Sequence, residues 1–258
     1  MIYDKVLAGD FMEKRTVIVT GGSRGIGAAI STRFAKEGYN VVINYVNNDE
    51  RAKTLKSELE EKYNVDCLLV KANVSDEEDV KRLISEAINR FGFINCLVNN
   101  AGIAIDKPFL DKTKEDFLKT LETNLIGPFL TSKYAYNYLI NASNASIINI
   151  SSTNGIDTLY PESIDYDASK SGVISLTKNL ASVYAPNVRV NSVAPGWVKT
   201  EMNSDLDKDF MKDEEDKILL GRFANPIEIA NVVYFLASSE ASYINGEVIV
   251  IDGGSYGN

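Results

Sequence analysis

Seven short apolar runs, each bounded by turn-forming residues, alternate along the chain with longer stretches whose apolar positions recur every three to four residues. The runs are 16–20 (TVIVT), 40–45 (NVVINY), 66–71 (DCLLVK), 95–98 (NCLV), 146–150 (SIINI), 187–193 (NVRVNSV) and 246–251 (GEVIVI). Their length and β-branching make each a buried strand. Helical spacing follows the first run at Ala28, Ile30, Phe34 and Ala35. It returns over 49–62, and over 75–91 with Ser75 as cap and acids in the first turn. It returns again over 112–141, from 163 through Val173, Leu176, Leu180 and Val183, and after Pro226. The 112–141 stretch is long enough for one helix or two. Asn124 in its middle and Pro128 just beyond predict a local break that releases a backbone carbonyl.

Strands alternating with helices throughout, with no linker or composition break, predict one α/β domain over residues 1–258. The expected architecture is a Rossmann-type doubly wound parallel sheet of about seven strands with helices on both faces. Two stretches stand apart. Residues 1–13 read as an N-terminal extension, with Met12 as an alternative start. Residues 200–221 carry eight acids against three lysines and lack a firm apolar pattern. They predict a mobile flap over the site, with a solvated loop as the plain alternative.

Composition narrows the function. A net charge of −9 argues against nucleic-acid and anionic-membrane partners, which select a basic face. The chain has no histidine, which excludes a Ser-His-Asp triad or a histidine base. Metal binding is not expected either, since Cys67 and Cys96 lack ligand spacing. Both cysteines lie in apolar runs, as suits a reduced, cytoplasmic compartment. The start lacks a secretory signal, and no apolar run is long enough to span a bilayer. Acid–base work falls to Tyr, Lys, Asp or Glu.

The first strand runs directly into Gly21-Gly22-Ser23-Arg24-Gly25-Ile26-Gly27, and a helix follows. Strand, glycine turn and helix N-terminus form a dinucleotide cradle: backbone N–H groups and the helix dipole face a pyrophosphate. At the end of the second strand an acid would bind the ribose 2′-hydroxyl of NAD. Here Asn44, Tyr45, Val46, Asn47 and Asn48 stand instead, with no carboxylate before Asp49. Arg24 can supply positive charge for a 2′-phosphate, which favours NADP(H) over NAD(H); as a solvated loop residue it would do nothing. Tyr166 and Lys170 are one helical turn apart. An ammonium there favours the phenolate and lowers the phenol pKa, making Tyr166 a proton donor near neutral pH. Alone the pair is weak, since thirteen tyrosines make one such spacing expected by chance. The turns after the strands, at Gly21 to Gly27, Asn100, Ser152 and Pro195-Gly196, all fall on one sheet edge. That convergence suits hydride transfer to or from a carbonyl.

These stretches, with Asn99-Asn100-Ala101-Gly102 and Asn124, occur in the order of the short-chain dehydrogenase/reductase family, which the chain resembles over about residues 15–256. Within it the chain is most similar to 3-oxoacyl-(acyl-carrier-protein) reductases. They share the SRGIG turn, Asn73-Val74 and an ending like Ile244 to Gly254. The resemblance implies that Tyr166 protonates the carbonyl oxygen and that Lys170 tunes it and holds the ribose. Ser152 would donate to the oxyanion, with Ser151 as its competitor, and Asn124 would fix a water for proton resupply. Gly21, Gly22, Ser23, Arg24 and Ile26 would hold the phosphates. Asn44, Tyr45, Asn73 and Val74 would lie on the adenosine side. Asn100, Ala101, Gly102, Pro195, Gly196, Val198 and Thr200 would border the ribose and nicotinamide. Asn99 would stabilise its turn, and Trp197 would pack on the cofactor or in the core. The YAYNY stretch at 134–138 would pack in a helix interface, and the family pairs such helices across a homotetramer. The expected substrate is a small-molecule or acyl-thioester carbonyl; an alcohol, sugar or keto-acid dehydrogenase is the alternative, and a non-catalytic dinucleotide sensor a third. Residues 141–146 and 185–188 lack the basic residues that grip an acidic carrier protein, although Arg189 follows. The acidic flap would repel such a carrier as well. One extra residue between Ser152 and Tyr166, near Tyr160-Pro161, reshapes the pocket.

Overall fold

The apolar runs become the strands of one sheet in a computed structural model that describes residues 14–157, 160–201 and 207–255. They are β1 Thr16–Val19, β2 Asn40–Tyr45, β3 Cys67–Lys71, β4 Cys96–Asn99, β5 Ala145–Ile150, β6 Val188–Pro195 and β7 Val248–Ile251. The order is β3-β2-β1-β4-β5-β6-β7, and every neighbouring pair is parallel. Helices cover both faces: α1 Gly25–Lys36, α2 Asp49–Tyr63, α3 Glu77–Phe91, α4 Lys114–Leu121, α5 Gly127–Leu139, α6 Ile164–Tyr184, α7 Lys208–Asp216 and α8 Pro226–Ala237.

The two-residue period of each strand divides its side chains between two cores. Val17, Val19, Val41, Ile43, Val98 and Ile148 pack with Phe34 of α1, Leu59 of α2 and Ile229 and Val233 of α8. Ile18, Val42, Leu97, Ile147 and Val190 pack with Leu83 of α3, Leu139 of α5 and Tyr184 of α6. Both faces are thus buried, which is why the strands read as continuous apolar runs. Phe34 meets Tyr39 and Tyr234 edge to face, with ring centroids 5.1 and 5.5 Å apart. Cys67 and Cys96 are free thiols, both buried.

The chain reverses its direction of growth between β1 and β4, which are neighbours. At such a switch point the loops leaving adjacent strands part and leave a crevice at their carboxyl ends. The glycine turn leaves β1 there, and residues 100–108 leave β4.

Several expectations are corrected. Asp76, not Ser75, caps α3, accepting from Asp79 N; its extended backbone suits a cap. The 112–141 stretch is α4 and α5 joined by a π-helical turn over Glu122–Ile126, which contains Asn124. Pro128 sits in the first turn of α5, where its missing N–H costs no helical bond. β6 continues through Ala194 and Pro195, placed there as a turn, because pairing with β7 extends to Pro195↔Ile251. Asn99 belongs to β4 rather than its turn. It donates to Asn149 Oδ1 at 2.8 Å and accepts from Thr131 Oγ1 at 2.6 Å, so buried amides are satisfied across two strands and α5. The acidic 200–221 stretch contains α7, capped by Asp207. Residues 1–13, and 202–206 within the acidic stretch, lie outside the described residues.

Candidate active site

The glycine turn is shaped by conformations that favour glycine. Gly21 and Gly25 have φ of +60° and +52°. A Cβ on Gly27 would lie 2.1 Å from the Gly21 carbonyl oxygen, so the turn folds back onto the first turn of α1. Thr20 Oγ1 accepts from the backbone N–H groups of Asn100 and Ala101 at 2.9 and 3.0 Å. Asn100 Nδ2 returns a bond to the Thr20 carbonyl at 2.9 Å. The loops after β1 and β4 are thereby fixed to each other.

A cleft of about 1020 Å³ opens beyond these strand ends. At one end it is lined by Gly21, Ser23, Arg24, Ile26, Asn44, Tyr45, Asn73 and Val74, and along its middle by Asn100, Ala101, Gly102, Pro195, Gly196, Val198 and Thr200. Ser152, Tyr166 and Lys170 line it as well. Gly22 and Asn124 are absent from the lining. A Cβ on Gly22 would meet the Val19 carbonyl oxygen at 2.8 Å, so that glycine faces the sheet. Asn124 is buried behind the wall: its Oδ1 accepts from Ile103 N at 2.8 Å, and its Nδ2 donates to Ile103 O and Ser169 Oγ at 2.9 and 3.0 Å. Its amide is used to pin a loop.

Asn44 and Asn100 act as framework within the lining. Asn44 is buried; it accepts from Gly21 N at 3.2 Å and donates to the Ala72 carbonyl at 2.8 Å, tying the glycine turn to β2 and β3. The end of β2 carries no free acid, because the Asp49 carboxylate is met by Lys71 Nζ at 2.9 Å. Arg24 stands exposed at the N-cap of α1. Arg51, which the sequence reading missed, also lines the cleft and forms an ion pair with Glu201.

The chemical end gathers around α6. Ser152 stands beside the Tyr166 phenol and pulls its pKa down; its Oγ donates to Asn154 Oδ1 and accepts from Asn154 N, both at 3.2 Å. Ser151 turns inward to the Val193 carbonyl and Ser192 Oγ, at 2.9 and 2.8 Å. Lys170 Nζ donates to the Ile150 carbonyl at 2.8 Å and lies 5.3 Å from the centre of the Tyr166 ring. The electrostatics differ from the simple Tyr–Lys expectation. Burial pushes Tyr166 up to about 12, against the downward pull from Ser152. Burial also pulls Lys170 down to about 8. Desolvation disfavours both charged forms and is the largest influence on each.

This has a signed consequence. Lys170 binds fewer protons folded than unfolded between about pH 8 and its ordinary 10.5, so it adds stability as pH rises through that window. Tyr166 opposes it only above its ordinary 10.0, where the unfolded phenol ionises first. Thermal melts of wild type and Lys170→Met should therefore show the wild type gaining on the variant from pH 8 to 10. A flat or falling difference contradicts a buried, depressed ammonium.

The outer wall carries residues the sequence reading did not select: Asp106, Asn154, Asp157, Tyr160, Phe210 and Glu214. Trp197 packs on protein, stacking on Phe223 at 5.4 Å, meeting Phe210 edge-on at 5.9 Å and donating to Glu214 Oε2 at 3.0 Å. It thereby carries α7. Arg189 is turned inward, donating to the Leu236 and Ser238 carbonyls at 2.6 and 2.9 Å. Among the described residues no group of three or more acidic, Cys or His side chains could hold a metal.

The cradle accommodates a dinucleotide on structural grounds. Its glycines keep out the Cβ atoms that would crowd the turn, as at Gly27, where one would lie 2.1 Å from the Gly21 carbonyl oxygen and 2.7 Å from Asn100 Nδ2. Comparisons with known proteins agree. The sequence profile of a family described as "Enoyl-(Acyl carrier protein) reductase" matches residues 21–256. A 3-oxoacyl-(acyl-carrier-protein) reductase of Aquifex aeolicus is 40% identical over 246 residues, 95% of this chain and 98% of the relative. Its Staphylococcus aureus counterpart is 38% identical over 243 residues, 94% of this chain and 98% of the relative. Among solved structures, a dehydrogenase/reductase from Sinorhizobium meliloti is 36% identical with a TM-score of 0.89, covering 93% of this chain and 94% of that one. A short-chain dehydrogenase/reductase from Serratia marcescens is 34% identical with a TM-score of 0.88, covering 93% and 97%.

Proposed function

The chain belongs to the short-chain dehydrogenase/reductase family, and from that premise we propose that it is an NADP(H)-dependent reductase of 3-oxoacyl thioesters. As an oxidoreductase it acts on a carbonyl or CH–OH group. The observation that carries the reading is the convergence of Ser152, Tyr166 and Lys170 in a cleft that also contains the glycine turn.

When bound, the nicotinamide cofactor supplies the hydride to the carbonyl carbon. The Tyr166 hydroxyl gives its proton to the carbonyl oxygen, while Ser152 donates a hydrogen bond to the charge developing there, worth about 3 kcal/mol. The resulting phenolate is favoured by the Lys170 ammonium and is reprotonated from that side. Lys170 would also orient the ribose hydroxyls, and the backbone of Gly21 to Ile26 would hold the phosphates. Asn124 keeps Ile103 and Gly102 in place beside Lys170; a Cβ on Gly102 would lie 3.3 Å from Asn124 Oδ1 and 3.6 Å from Lys170 Nζ.

Support for NADP(H) comes from Arg24 in the cleft lining and from the engaged carboxylate of Asp49. A charge-assisted bond to a 2′-phosphate is worth about 1.5–3 kcal/mol. Arg24→Ala is therefore expected to raise the KM for NADPH by about ten- to a hundredfold and leave NADH almost unchanged. Equal effects on both would contradict a 2′-phosphate contact.

Asp106 in the lining favours a second reading, a dehydrogenase of neutral small ketones, alcohols or sugars, since its charge repels an anionic carrier. Consumption of NADPH with acetoacetyl thioesters, set against a panel of neutral ketones and sugars, separates the two. Turnover of the panel without the thioesters would retire the first. A homotetramer is proposed from Phe129 and Tyr138 of α5, exposed apolar groups on the helix that the family pairs across subunits. Two unpaired buried thiols suit a cytoplasmic location. No helix among the described residues is long and apolar enough to cross a membrane.

A further inference from the structure

Lys112 and Asp165 form an ion pair shut off from solvent. Their side chains are 4% and 0% exposed, with Nζ 2.7 Å from Oδ1. Both groups are fully engaged. Lys112 Nζ also donates to the Ile105 carbonyl. The second Asp165 oxygen accepts from Thr120 Oγ1 at 2.6 Å. Burial alone would raise the Asp165 carboxyl, but the bonds from Lys112 and Thr120 outweigh it and hold the group below its ordinary range.

The place of this pair matters more than its strength. Asp165 directly precedes Tyr166 in the first turn of α6. Lys112 lies just ahead of Thr113, the cap of α4, and Thr120 lies in α4. Ile105 belongs to the loop whose neighbours Ala104 and Asp106 line the cleft. Two more bonds tie this loop to the segment before α6: Ser163 Oγ donates to Asp106, and Lys107 N donates to the Glu162 carbonyl at 3.2 Å. The loop is therefore pinned at alternate residues, Ile103 by Asn124 and Ile105 by Lys112, and both pins reach α6 through Ser169 and Asp165. A buried ion pair stabilises little, since desolvation offsets its attraction, but it specifies one geometry.

We infer that Lys112, Asp165 and Thr120 are positioning residues for the reaction: they fix the first turn of α6, and so the Tyr166 hydroxyl, against the cleft wall at residues 103–107. The inference rests on the reductase reading. It requires that losing the set harms turnover even where the fold and the cofactor site survive.

The test uses the full chain, with Thr120→Val and the double variant Lys112→Met/Asp165→Asn. The double variant removes both charges together, so it avoids an unpaired buried ion. Melting temperature, NADPH affinity by fluorescence titration, and kcat and KM for a ketone that the wild type reduces are measured. The double variant should melt near wild type and bind NADPH within about twofold of it, yet lose about tenfold or more in kcat/KM, mostly in kcat. Thr120→Val should keep NADPH affinity and lose about fivefold in kcat. The inference is overturned if Thr120→Val, or a folded double variant, keeps kcat/KM within about twofold of wild type. It is also overturned if Thr120→Val loses stability, cofactor affinity and kcat in parallel, the mark of a purely structural set. Should the double variant fail to fold, Thr120→Val decides alone. A wild type inactive on every ketone refutes the proposed function instead, before any variant is compared.

Discussion

Tyr166→Phe is expected to lower kcat by about 10²–10⁴-fold, the usual contribution of a positioned proton donor, with little change in NADPH affinity. The substitution deletes one oxygen. It leaves the ring, which lies 5.3 Å from Lys170 Nζ, and the helix that carries it. The Ser152 hydroxyl keeps both its bonds with Asn154. Water cannot substitute efficiently, because the site that raises the phenol to about 12 also disfavours a free hydroxide or hydronium. Steady-state rates of NADPH oxidation with a reactive ketone check this. An undiminished rate removes Tyr166 from the mechanism.

Gly27→Ala should damage the other end of the cleft as severely. The new methyl would sit 2.1 Å from the Gly21 carbonyl oxygen and 2.7 Å from Asn100 Nδ2, both part of the cradle itself. Neither can yield locally. Gly21 already occupies φ +60°, and Asn100 is bound to the Thr20 carbonyl. The glycine turn must separate from α1, which moves the N–H groups that face the phosphates. Overpacking of this kind costs about 3 kcal/mol, or about a hundredfold in the Kd for NADPH. Fluorescence titration reads the loss directly. Wild-type affinity would mean that the cofactor does not depend on this turn.

The sequence disclosed those features whose cause is local. The strands are legible because a sheet covered on both faces leaves a continuous apolar signature, and the glycine turn because its backbone favours glycine and its close contact at Gly27 leaves no room for a Cβ. What the sequence left open depended on direction rather than residue type. Gly22, Asn44, Asn100 and Asn124 all belong to the right neighbourhood. Spacing does not tell an amide that meets a ligand from one that braces the loop holding it. α7 was hidden because its acids mask the few contacts that matter, Phe210 and Glu214 against Trp197. The Lys112–Asp165 pair was invisible for a different reason: its members are 53 positions apart, and nothing local foretells their meeting. The Tyr166–Lys170 spacing was read correctly as a contact. The burial that dominates both groups was not legible, because desolvation is a property of the whole surrounding fold.

The two thiols carry a practical consequence. Cys67 and Cys96 are both pushed up to about 12 by burial, so neither offers appreciable thiolate at neutral pH. Alkylating reagents will find the native molecule silent. One engineered cysteine on α7 thus becomes a unique attachment point for a fluorophore or spin label, with the natural sulfurs left untouched.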